Sequence, residues 1–299
     1  MIFLIGSIVL SSYLTLAFKV CEKYGISIFQ AILFNYITCI ATGSIVNGSH
    51  PFTSTNFHSR WFPWAVIMGA IFILVFNITG YTTQKIGVAV ASVANKLSLV
   101  IPFIFSIYLF NEPASWIKIA AIIIALIAVA LTCYPSQNDF SHAAGKHISA
   151  GWKDMILPAV LFIGSGLSDS LVNYVSNPSS NLLTKEDNNA YLVTGFTAAF
   201  CIGTVILIVQ VLRKKAVIQS KAIIAGICIG VPNYFSIWCL VKVLNLYSEN
   251  SSAIIPVNNM GIVLFSAVMA WLLFKEKLSF INWTGIILSV AAIAMIAFG

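Results

Sequence analysis

Residues 119–131, IAAIIIALIAVAL, and residues 286–298, IILSVAAIAMIAF, decide the fold class. A helix on the surface of a soluble protein shows a polar face opposite its apolar stripe, and neither stretch offers one at any helical phase. Working outward, the same character holds along the chain: of 299 residues, 59% are hydrophobic and 8% charged, where a soluble domain carries about a quarter charged. The main solvent of this chain is lipid.

A bilayer core takes about 20 apolar residues rising about 1.5 Å each. That length divides the sequence into ten helices, at 2–18, 28–46, 64–83, 88–110, 116–134, 155–174, 191–212, 222–244, 253–274 and 280–298. The first lacks a basic leader and a small-residue cleavage site, so it reads as a spanning helix rather than a secretory signal. Most connections are too short for anything but antiparallel neighbours. The loops at 48–62, 135–151 and 175–189 are longer and rich in Ser, Asn, Pro and His, which marks solvated connection.

The net charge of +7 is spread over those loops rather than gathered on one face, so no nucleic-acid partner is expected. Loops after odd-numbered helices hold Lys19, Lys23, Lys85, Lys146, Lys153, Arg213, Lys214, Lys215, Lys221, Lys275 and Lys277; the opposite face holds Arg60, Lys118, Lys185 and Lys242. The positive-inside rule makes the first set cytoplasmic and puts both chain ends outside the cytoplasm. The six cysteines show no paired spacing of metal or redox type and read as small core residues. No cofactor or metal is expected.

The 135–151 loop separates two halves, 1–134 and 152–299, of five helices each. LFNEPASWIKIAA around Glu112 and LFKEKLSFINWTG around Glu276 superimpose at a spacing of 164 residues. Five spans per half is an odd number, so the second copy enters from the opposite side. The fold expected is therefore an all-α membrane protein of two inverted five-helix repeats, an arrangement common in secondary transporters.

The turn at Tyr81–Gly87, the mid-span Pro102, the acidic turn at Asn111 and Glu112 and the small-residue helix after it are repeated at Tyr247, Pro256, Glu276 and Gly285. This pattern resembles the drug/metabolite transporter superfamily, and most of all its EamA-type members. The resemblance covers nearly the whole chain and implies a ten-helix carrier with a central cavity between the repeats. It also implies solutes such as amino acids, other metabolites, sugar phosphates or nucleotide sugars. The usual turn has Gly before the Glu, whereas this chain has Asn111 and Lys275, and the two glutamates themselves read as solvated or locally paired charges.

Ionisable groups deep in a spanning helix cost at least about 2.5 kcal/mol each and face a cavity or a partner. Lys96 and Asp169 are two such groups. For Lys96 the alternatives are a cavity site for an anionic group and a structural contact to backbone carbonyls. Asp169 lies on a stripe with Ser165 and Asn173, and the first helix carries Ser7, Ser11, Thr15 and Lys19 at the same spacing. These stripes line a polar path or bond helix to helix. Mid-span amides suit a zwitterionic or hydroxylated solute: Asn35, Asn77, Asn95, Asn233 and the pair Asn258 and Asn259 beside Pro256. Tyr81, Tyr234 and Trp238 are candidate cavity walls. Gly226 with Gly230 and Gly285 with Ser289 are spaced for close helix contact. The chain reads as a monomer, with a dimer through the last helix as the other option.

The function expected is secondary active transport of a small polar metabolite, an amino acid or a related anionic or zwitterionic solute, across the plasma membrane. There is no Gly-Lys-Ser/Thr nucleotide loop to drive transport with ATP. A flippase for a lipid-linked substrate would need a lateral opening and a basic site. A membrane-embedded enzyme is disfavoured, because all four His lie in loops and no Gly-x-Ser-x-Gly turn occurs.

Overall fold

The computed structural model describes residues 2–47, 57–110, 115–132, 152–176, 182–183, 187–246, 251–276 and 278–298. Among these the regular structure is helical: α1 (Ile2–Lys23), α2 (Ile28–Asn47), α3 (Phe62–Lys85), α4 (Val88–Leu97), α5 (Val100–Phe110), α6 (Trp116–Thr132), α7 (Trp152–Ser176), α8 (Asn188–Leu212), α9 (Ser220–Leu246), α10 (Ser251–Phe274) and α11 (Phe280–Phe298). With α4 and α5 counted as one span, eight spans are long and apolar enough to cross a bilayer, and α6 and α11 contribute shorter apolar segments. Their outer faces carry large bare hydrophobics such as Ile5, Leu74, Ile163 and Ile287, which in water would be a liability and in lipid are the solvated surface.

Between helices the sequence supplies small residues, because apolar burial gives no net drive in lipid and close van der Waals packing must substitute. A Cβ at Gly230 would come within 2.5 Å of Thr38 Cβ and 2.8 Å of the Asn35 carbonyl, and one at Gly226 would collide with Phe34. Those two glycines bring α9 onto α2. Gly69 meets Gly195 and Ala198 where α3 crosses α8, and Gly285 meets Thr132 and Ala128 where α11 crosses α6. The last helix is thus covered on its small-residue face within one chain.

One expectation is corrected. Residues 88–110 do not form a continuous helix; the span is broken at Ser98 and Leu99 into α4 and α5. Pro102 has no N–H to return to the Ser98 carbonyl four residues back, and that carbonyl instead takes Ile101 N at 2.9 Å. The other helical prolines, Pro158, Pro232 and Pro256, leave their helices unbroken.

The neighbours of the helices are α2 with α9, α3 with α8, α1 with α9, α3 with α7, α1 with α10, α4 and α5 with α7, α2 with α8, α4 with α10, and α6 with α11. One end of the bundle, which carries most of the lysines, is closely stitched. Gln30 and Gln219 tie α2 to the α8–α9 turn by Gln30 Nε2 donating to the Val217 carbonyl and Gln219 N donating to Gln30 Oε1, both at 2.8 Å. Asn282 Nδ2 donates to the Thr132 carbonyl at 2.9 Å and closes the end of α6. Linker 135–151 lies outside the described residues, as do Asn111 and Glu112.

Candidate functional site

The break in the fourth span falls where α4 and α5 meet α7, and polar residues of α4 and α7 gather there. Asn95 Nδ2 donates to Ser165 Oγ at 3.2 Å. The Ser98 hydroxyl lies between the Asn95 carbonyl, with which it makes a short contact, and Asp169 Oδ2 at 3.4 Å. One hydroxyl proton serves one acceptor at a time, so the Asp169 carboxylate has only a long, shared donor. Lys96 and Asp169 sense each other's charge, but no ion pair joins them.

Asp169 faces inward although its surface is accessible. The lipid-facing stripe of α7 runs through Ile156, Val160, Ile163 and Leu167. Two residues after Leu167 is about 200° around the helix, the opposite side. Ser165 and Ser168 on that inner side are buried, so an open Asp169 among them marks a hollow inside the bundle rather than contact with lipid.

Asn258 approaches the same depth on α10. Leu16, Val88 and Ala270 share one buried cluster near the stitched end. From that level Ser98 lies ten residues inward along α4 and Asn258 twelve residues inward along α10, roughly 15 and 18 Å. Asn258 is buried, and its Oδ1 has no partner. On α1, Ser11 is half-buried, and its neighbour Ser12 donates to the Ile262 carbonyl at 3.4 Å. Asn259 is half-buried on the same turn as Asn258, and Asn173 continues the α7 stripe, half-buried one turn beyond Asp169.

The remaining candidates stand apart. Tyr81 is 44% exposed two turns after Leu74 on the outer stripe of α3, so it faces lipid rather than walling a cavity. Tyr234 packs in the apolar core of α2 and α9 against Gly43 and edge-on to Phe235. Trp238 is edge-on to Phe3 and stacked by Lys242 Nζ at 5.2 Å, an aromatic clamp between α1 and α9. Asn77 turns its Nδ2 back on its own helix, to the Ile73 carbonyl at 2.6 Å, and leaves Oδ1 buried without a partner. Asn35 and Asn233 bond to each other and to Cys39 across α2 and α9.

Sequence reasoning missed two residues. Ser98 could have been found, since it stands four residues before Pro102, where a carbonyl is freed. Glu276 could not, because its partner is far away in the chain: Oε1 accepts from Val88 N at 2.8 Å and Oε2 from Ala89 N at 3.5 Å, capping α4. It is not a solvated charge. Burial pushes its carboxyl above the usual range, while the two amides and Lys19 pull it down and Glu22 pushes it up. Lys275 before it adopts φ 54°, the left-handed conformation that a glycine would supply, and Glu276 N then reaches back to the Ala270 carbonyl at 3.4 Å. Among the described residues no group of three His, Cys, Asp or Glu is placed to hold a metal ion.

A protein of Haemophilus influenzae, itself uncharacterized, is 26% identical over 97% of this chain and 95% of its own length. A solved crystal structure shares the fold, with a TM-score of 0.60 over 98% of this chain and 95% of that one, at 14% identity. Residues 183–298 match the EamA-like transporter family. With its apolar spans the chain is a multi-pass membrane protein, similar over that segment to a family of transporters.

Proposed function

We propose that this protein carries a small zwitterionic or anionic solute, an amino acid or a related metabolite, across the plasma membrane, binding it in the hollow between α4 and α7. The observation that carries this reading is the Lys96 and Asp169 pair, close enough to interact and too far apart to neutralise each other. A solute carboxylate fits the ammonium, a solute ammonium fits the carboxylate, and Asn95, Ser98 and Asn258 are neutral donors and acceptors at the same depth. Uptake into vesicles reconstituted with the purified protein, run against the amino acids and a set of dicarboxylates, tests it. A zwitterion needs both charges, so Lys96→Met and Asp169→Asn should each cut its transport by roughly tenfold or more; a plain anion needs Lys96 alone. Normal transport by Lys96→Met would overturn the reading.

Alternating access between inverted halves 1–134 and 152–299 is the second part of the proposal. It is supported by the neighbour pattern: exchanging the halves turns α2 with α9 into α8 with α3, and α1 with α9 into α7 with α3, while α6 with α11 and α2 with α8 map onto themselves. By the lysine bias, both chain ends lie outside the cytoplasm, and the stitched end faces it. A reporter active only in the cytoplasm should be silent when fused at Gly299; a strong signal would reverse the orientation. A flippase would open sideways to lipid. The outer groove between α6 and α7 that could serve is lined by Leu126, Val129, Met155, Ile156 and Phe162, with no charged residue.

A further inference from the structure

We propose that the Glu276 carboxylate is the latch that closes the basic end of the solute path, holding half-helix α4 by its N-terminal amides, so that breaking it opens a way from that end toward Lys96. The proposal rests on the solute-site reading above only for where the path leads.

The latch joins the two halves of the chain. Glu276 comes from the turn between α10 and α11 and grips the first two amides of α4, 188 and 187 residues away. The receiving turn is fitted to it: Gly87 has φ 135°, and a Cβ there would stand 3.0 Å from Glu276 Oε2. Beside it Lys19 pairs with Glu22 at 2.7 Å and donates to the Gln84 carbonyl at 3.0 Å, so the ends of α1 and α3 are held at the same place.

Beneath the latch, Leu16, Val88 and Ala270 form a buried apolar plug. One turn further inward on α4 and α10 stand Ser92 and Ser266, 1% and 0% exposed, each with a hydroxyl that has no partner. A core built only for packing would not place orphaned hydroxyls under an apolar seal. A polar path shut at this end would, because water or solute satisfies those groups when the seal opens. Helix α4 itself is a ten-residue arm that ends at the Ser98–Leu99 break, with Glu276 at one end and Asn95 and Lys96 at the other. Movement at the latch is therefore transmitted to the solute site as a rigid body, with the break as the hinge.

The test is thiol labelling of the detergent-purified full chain in which the six native cysteines are replaced and Ser92→Cys is the reporter, with a charged methanethiosulfonate as the probe. With Glu276 intact the reporter should label slowly. Glu276→Ala should raise its rate at least tenfold, and Glu276→Gln, which keeps one acceptor for Val88 N but sets an NH2 against the Ala89 amide, should lie between and serves if the Ala variant does not fold. A second reporter, Val193→Cys, is equally buried and lies beside Gly43, away from the latch; it should not accelerate. An unchanged Ser92→Cys rate overturns the latch, and so does equal acceleration of both reporters, which would mean general loosening. Labelling needs no solute, so a failed latch and a failed solute site are seen in different experiments.

Discussion

Two helix crossings in this molecule carry buried polar residues at mid-membrane depth, and they use them in opposite ways. Where α9 meets α2, Gly226 and Gly230 draw the backbones together, and Asn233 Nδ2 donates to Asn35 Oδ1 at 3.1 Å while Cys39 lies against both amides. Where α4 meets α7, the helix is broken, the carboxylate is open and the ammonium is unpaired. In the first crossing polar atoms are mostly matched to one another and leave no space. In the second they are matched in part, and the remaining capacity points into a hollow. Depth in the bilayer does not separate a structural polar residue from a binding one; whether its partners are already present does.

The largest effect expected from this comparison is at the tight crossing. Gly230→Leu would push its side chain into Thr38 and the Asn35 carbonyl, both parts of a packed helix, and neither can move aside. Size-exclusion chromatography in detergent should show no folded peak. A well-behaved Gly230→Leu protein would mean that α2 and α9 are looser than described, and the contrast would fail.

Next come the charges at the open crossing. Loss of one charged contact to solute is worth about 1.5 to 3 kcal/mol, or roughly a 10- to 100-fold fall in uptake. Lys96→Met and Asp169→Asn should both show it while the Tm holds or rises, because neither charge has an ion-pair partner to lose among the described residues. A lower Tm in step with lost uptake would place the pair on the structural side of the comparison.

Asn233→Ala is the milder counterpart. It leaves Asn35 Oδ1 with only the long Cys39 Sγ contact at 3.6 Å and opens a small void, and inter-helix bonds in lipid are worth about 0.6 to 2 kcal/mol. The expected result is a modest fall in Tm with uptake retained. Lost uptake at full stability would move Asn233 into the solute path.

Much of this was legible in the sequence. The helical spans follow from apolar length alone, and the Gly226 and Gly230 spacing announces a close crossing whatever its partner. Lys96 and Asp169 stand out because lipid makes ionised groups rare. What the sequence did not disclose is that they come within electrostatic range of each other without pairing: the two lie on helices whose pairing depends on the whole bundle. Tyr81 and Trp238 were legible as aromatics but not as lipid-facing or clamped, because an aromatic at mid-helix has the same local signature in either place. Glu276 was hidden for a related reason. A capping bond across 188 residues leaves no local pattern.

A pH effect at the latch is expected to be smaller. Burial raises the Glu276 carboxyl above its ordinary 4.5 when the latch is closed, so the closed end binds a proton more tightly than the open one. Acidification then favours closure, and a rise in pH above about 4.5 charges the buried group and favours opening. Lys19 and Glu22 on α1 are the charged groups facing it. The Ser92→Cys labelling rate should climb with pH after correction for thiol ionisation measured on Val193→Cys, and Glu276→Gln should flatten the climb. A fall with pH would contradict the direction.

The smallest effect concerns how the open crossing is held from a distance. Glu276 reaches α4 only because Lys275 turns the chain through φ 54°, and Lys214 at the end of α8 does the same at φ 55° with no such carboxylate beyond it. A left-handed residue with a side chain costs about 1 to 2 kcal/mol, which glycine avoids, while glycine loses about 0.5 to 1 kcal/mol through its freer unfolded state. Lys275→Gly and Lys214→Gly should therefore each gain on the order of 0.5 kcal/mol, seen as a slight rise in Tm. If backbone strain is all that Lys275 contributes, the two gains match and Ser92→Cys labelling stays slow. If Lys275→Gly instead lowers the Tm or speeds labelling, the lysine itself helps to hold the latch, and the open crossing is controlled from a turn roughly 15 Å or more away.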